Sequence, residues 1–141
     1  MKFVCDAPGG KSWFRIETSA EAAAESLAMR HAVEKFFLAE EDKAARKYRS
    51  TETEFFEQEI GLKAHLQRSM PMFMTLRDGE GRPLATAMLP ANGRDSVTFR
   101  PIIVGAGNGD PYPEHHAAIE ALGRRFLISL DRARCFPYAR D

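Results

Sequence analysis

The chain has 141 residues, 44% hydrophobic and 28% charged, with a formal net charge of zero. That length suits one domain with a core of its own. The neutral balance argues against a dedicated surface for nucleic acid or an anionic membrane, which would carry a basic excess. The two cysteines, Cys5 and Cys135, lie near opposite ends of the chain, so neither a CxxC redox pair nor a zinc knuckle can form. No apolar run nears the roughly 20 residues of a membrane span, and that in "MKFVCDAPGG" is too short for a signal peptide. A cytoplasmic protein with reduced thiols is the expectation.

"KFVC" and "SWFRIE" are β-prone runs around the turn formers "DAPGGK", which predicts an N-terminal hairpin with Trp13 and Phe14 on opposite faces. "APGGKS" also evokes a phosphate-binding loop. The first glycine of that motif would fall at Cys5, and "WFRIE" alternates like a strand where a helix is required. The hairpin is the better reading.

Thr18 with Glu21 three residues on is a capping box. From Ser19 to Arg49 the chain lacks Gly and Pro, which predicts one helix of about 45 Å. Its early Glu21 and Glu25 and late Lys43, Arg46, Lys47 and Arg49 complement the helix dipole. Ala22, Met29, Val33, Phe36, Phe37, Ala44 and Tyr48 share one face, while Ala20, Ala24, Leu27, His31 and Leu38 lie roughly opposite. A helix apolar on two faces is buried on both, by its own domain or by a second chain.

"STETEFFEQEIGLKAHLQRSM" predicts a second helix, capped by Thr51 or Thr53, with Phe55, Leu62, Leu66 and Met70 on one face. Gly61 within it marks a close crossing or a break, and Pro71 ends it. The acids of "TETEFFEQE" read as a solvated helix face. "MFMTLR", the turn "DGEGRP" and "LATAML" form a hairpin, and "VTFRPIIV" adds a strand. The nearly continuous apolar runs in these strands imply cover on both faces.

The stretch "GAGNGDPYPEHH", residues 105–116, connects this strand to a last helix, "PEHHAAIEALGRRFL", with Ile119, Leu122 and Phe126 inward. A dinucleotide loop would place a third glycine at Asp110 and leave more than ten residues after a ribose-binding Asp131. The stretch reads instead as a connecting loop, with Asp110 capping the helix before Pro111, or with Pro113 at the first helical position. Adjacent helical residues point about 100° apart, so Glu114, His115 and His116 cannot all bind one metal ion. His31 and His65 stand alone on their helices. Twelve-residue calcium loops from Asp78, Asn108 or Asp110 end on Leu89, Ile119 or Ala121 rather than Glu. No GxSxG elbow occurs, and neither cysteine has a histidine neighbour in sequence.

The expected fold is therefore α+β: an N-terminal β-hairpin, two long helices, a three-stranded antiparallel meander and a C-terminal helix packed on the sheet. With no catalytic constellation, cofactor fingerprint or metal set, the expected function is a binding or accessory module. It self-associates as a homodimer through the long N-terminal helix, with room for a protein partner. The alternative is a small enzyme or small-ligand-binding protein whose pocket lies beside the 105–116 loop, rimmed by Asn108, Asp110, Glu114 and His115. A third reading is a phosphate or RNA binder using Arg124, Arg125, Arg132 and Arg134.

Overall fold

The computed structural model describes residues 1–51, 55–94 and 98–139, with residues 50, 51 and 55–60 described by backbone alone. In chain order it contains β1 (Lys2–Ala7), β2 (Lys11–Ile16), α1 (Ser19–Met29), α2 (Val33–Thr51) and α3 (Phe55–Ser69). After these come β3 (Met72–Arg77), β4 (Pro83–Leu89), β5 (Ile102–Val104) and α4 (Tyr112–Phe126). The class is α+β, as expected.

The arrangement differs in three details. The hairpin and the meander are one five-stranded antiparallel sheet in the order β1-β2-β3-β4-β5. They are joined because β2 pairs with β3 from Ser12↔Arg77 to Ile16↔Phe73. The strand expected over 97–104, of which residue 97 lies outside the described residues, covers only Ile102–Val104 of residues 98–104, since Pro101 has no N–H to extend the ladder. Its outer edge is met by the tail instead, where Ile103 N–H donates to the Phe136 carbonyl and Phe136 N–H to the Pro101 carbonyl.

The third difference is in the first helix, which is two helices. The capping box forms at Thr18 and Glu21 as its spacing predicts, but α1 ends at Arg30 in a left-handed conformation. Arg30 and His31 N–H both donate to the Ser26 carbonyl, and the Ser26 hydroxyl returns a bond to the His31 carbonyl. This is the helix-ending motif that glycine favours, built here without one. The cap at Thr53 lies outside the described residues. Gly61 does mark a close crossing, since a Cβ there would collide with the Tyr48 hydroxyl of α2.

Strand alternation sorts the core into two layers. Trp13, Met74, Leu76, Ala85, Leu89 and Ile103 face α4, which contributes Ala118, Ile119 and Leu122. Trp13 is fully buried there and its indole N–H donates to the Ala118 carbonyl at 2.8 Å. On the opposite face Ile16, Phe73 and Met88 pack against Ala22, Val33 and Phe37 of α1 and α2 and Leu66 of α3. Both sheet faces are thus covered. Among the described residues no helix is long and apolar enough to cross a membrane.

Candidate functional site

On α1, Ala22, Glu25 and Met29 recur at helical spacing and all three are buried. An isolated carboxylate cannot stay charged in such a layer without partners. Glu25, with no exposed surface, has two. Its Oε1 accepts from Arg77 of β3 at 2.9 Å, and its Oε2 accepts from the Thr86 hydroxyl of β4 at 2.6 Å. Arg77 is steadied in turn by the Thr75 hydroxyl and the Gly81 carbonyl.

The turn after α1 adds the fourth member. His31 Nε2 lies 2.9 Å from Thr86 Oγ1. Because the hydroxyl proton goes to Glu25, the imidazole must donate here, so the proton sits on Nε2 and Nδ1 is the acceptor. The Val33 N–H, 3.4 Å from Nδ1, agrees with that assignment. Burial holds the His31 pKa below the usual histidine range, against the upward pull of its own backbone and Glu25. The result is a directed chain, His31 to Thr86 to Glu25, closed by Arg77.

This chain ends in the wall of a cleft of about 380 Å³, within the size range of small-molecule sites. Val33 and Phe36 of α2 form one side, Phe73, Met88, Ile102 and Val104 the floor, and Phe136 and Pro137 of the tail the far side. Phe36 and Phe136 are about half exposed, at 52% and 53%, and supply an aromatic rim. Among the described residues the polar side chains of the lining are His31, Thr86 and Asn108.

The four rim residues expected from sequence are divided by the structure. Asn108 lies on the cleft, in the left-handed conformation, where its residue type is tolerated. Asp110 serves the fold: its carboxylate accepts the Tyr112 N–H at 3.0 Å and binds Arg132 at 2.9 Å. Glu114 is exposed. His115 belongs to α4, on the sheet face opposite the cleft, with its Nδ1 3.1 Å from Lys11 Nζ. Burial first, then the Lys11 charge, lowers the His115 pKa, so its 3.8 Å approach to Glu114 is not an ion pair near neutral pH.

The glycine loop is closed on itself. Gly105 N–H donates to the Gly109 carbonyl and Gly109 N–H to the Ala106 carbonyl. With the Tyr112 amide taken by Asp110, three donors that a phosphate would need are already bonded. The C-terminal arginines are partly engaged as well: Arg132 stacks on Tyr138, Arg125 on Phe126, and Arg134 donates to the Ser129 carbonyl. Cys5 and Cys135 are free thiols whose pKa values burial raises. Among the described residues no group of His, Cys, Asp and Glu is placed to hold a metal ion.

Sequence reasoning placed Asn108 but missed His31, Thr86, Glu25 and Arg77 as a set. One signal was available, since Glu25 falls in register with Ala22 and Met29 on the inward stripe of α1. Comparison with known proteins finds no family model, no curated protein and no solved structure that matches the chain significantly.

Proposed function

We propose that this protein is a non-enzymatic binding protein for a small, largely apolar ligand, held in the cleft between α2, the β4–β5 edge and the C-terminal tail. One observation carries the reading: His31 and Thr86, in the wall of an apolar cleft of about 380 Å³, are fixed from behind by a hydrogen-bonded chain that runs to the buried Glu25 and Arg77. Pockets of this kind combine apolar area for affinity with a few fixed polar groups for orientation. The chain of bonds holds His31 and Thr86 before any ligand arrives, which lowers the ordering cost of binding.

A thermal-shift screen against small apolar compounds tests this. Saturation at about 100 times the dissociation constant contributes roughly 2.7 kcal/mol, a rise of a few degrees in the midpoint. Ala32 is exposed on the cleft, so Ala32→Trp should fill it and abolish the shift while leaving the unliganded midpoint near that of the wild type. Hits that survive Ala32→Trp would sink the proposal.

A second reading, self-association through α1 and α2, is favoured by Leu27, 84% exposed, with Ala20, Ala24 and Leu38 also exposed. It predicts a dimer mass by light scattering at tens of micromolar protein, converted to monomer by Leu27→Glu. A monomer mass for the wild type removes it.

A further inference from the structure

The chemistry of the cleft narrows its occupant, an inference that rests on the cleft being a binding site. Among the described residues the lining contains no Lys, Arg, Asp or Glu side chain. The nearest buried charge, Glu25, is already matched by Arg77 at 2.9 Å and by the Thr86 hydroxyl at 2.6 Å. An ionised ligand would therefore lose its hydration without gaining a counter-charge, which is strongly unfavourable in an apolar site. Nucleotides, sugar phosphates and carboxylates fail on this ground, and so do amines.

Donor and acceptor accounting goes one step further. A hydroxyl has one proton and two lone pairs. The Thr86 proton goes to Glu25 and one lone pair receives His31 Nε2–H, so one lone pair is left. The single proton of the neutral imidazole is likewise spent on Thr86, and burial keeps that ring from taking up a second. The fixed wall of the cleft thus retains acceptor capacity and no side-chain donor. Asn108, at the exposed rim, can add either kind of bond.

We infer that the ligand is a neutral, mostly apolar molecule with a hydrogen-bond donor, such as an alcohol, a phenol or an aromatic N–H, whose donor meets Thr86 Oγ1. Its apolar body lies over Met88, Ile102 and Val104, between the Phe36 and Phe136 rings. An ether or ketone of the same shape offers the wall only a second acceptor, and leaves the Thr86 lone pair without a partner.

Two matched series test this on the full chain: naphthol, methoxynaphthalene and naphthoate, and octanol, octyl methyl ether and octanoate. Affinities come from calorimetry at pH 8, and the site from backbone chemical shifts. The expected order in both series is donor, then ether, then anion, with the ether about tenfold weaker than the donor and the anion weaker still. Thr86→Val should erase the difference between donor and ether. Should that variant fail to fold, the order in the wild-type protein decides alone. An ether that binds as tightly as the donor, or an anion that binds best at the cleft, overturns the ligand class and leaves the binding site standing. Failure of all six compounds overturns the binding reading together with this one. A dimer that Ala32→Trp converts to monomer makes a second copy the occupant, and overturns the proposal in that way.

Discussion

At the scale of single residues, Glu25 is the most demanding position in the molecule. Its carboxylate is fully buried and ties α1 to both β3 and β4. Glu25→Ala strands Arg77, whose side chain is only 19% exposed, and the Thr86 hydroxyl. Loss of one partner of a buried pair costs about 3–5 kcal/mol, a large part of the roughly 5–15 kcal/mol that holds a domain folded. Glu25→Gln keeps the shape and should cost less, about 1–2 kcal/mol. Urea denaturation of the two variants checks the order. The histidines set a pH dependence. His31 and His115 both have pKa values lowered by burial, so near the ordinary value of about 6.5 the unfolded chain binds protons that the folded chain refuses. Stability is then full above about pH 7 and falls as the pH drops through 6.5 toward 5. His31→Asn should flatten this slope in part, with His115 supplying the remainder. A midpoint that rises on acidification over this range would contradict the assignment.

At the scale of elements, the sequence misleads where a helix stops without glycine or proline. α1 ends on Arg30, left-handed and not glycine, whereas the end expected for α4 at Leu127, also left-handed, is met within one residue. Helix-ending signals are read from glycine and proline, so the break at Arg30 is silent and the segment from Ser19 to Arg49 reads as one rod. The break is closed by local bonds on Ser26 and tied to the sheet by one bond distant in sequence, His31 to Thr86. What local chemistry decides was legible: the Thr18–Glu21 box, the two hairpins and the inward face of α4, while the cap position expected at Asp110 is taken by Pro111, with Asp110 accepting the Tyr112 N–H. The end of α4 yields a contrasting pair of variants. A Cβ at Gly123 would lie 2.6 Å from the Ile128 carbonyl oxygen. Gly123→Ala should therefore cost about 1–3 kcal/mol from overpacking, although alanine is the better helix former by about 1 kcal/mol. Leu127 is 90% exposed, so Leu127→Gly loses little packing and relieves a left-handed backbone, for a gain of up to about 1 kcal/mol. Thermal midpoints of the two variants should move in opposite directions.

At the scale of the whole molecule, the cleft exists because five distant pieces of chain converge: the turn at His31 and the start of α2, Phe73 of β3, the middle of β4, β5 with Asn108, and the tail at Phe136. No spacing rule links residues 31, 86, 108 and 136, which is why sequence reasoning reached Asn108 alone among the polar residues that line the cleft. The same convergence explains how a short edge strand suffices. β5 spans three residues, yet its outer edge is bonded to Phe136, so one wall of the cleft and the end of the sheet are a single structure. The most direct measurement is a nitrogen–proton correlation spectrum of the labelled protein titrated with octanol. The account predicts shifts concentrated at Ala32, Val33, Thr86, Val104 and Asn108, with Leu27 and the His115 region of α4 unmoved. Shifts scattered over the surface, or centred on α1 around Leu27, would show that the cleft is not where this protein binds.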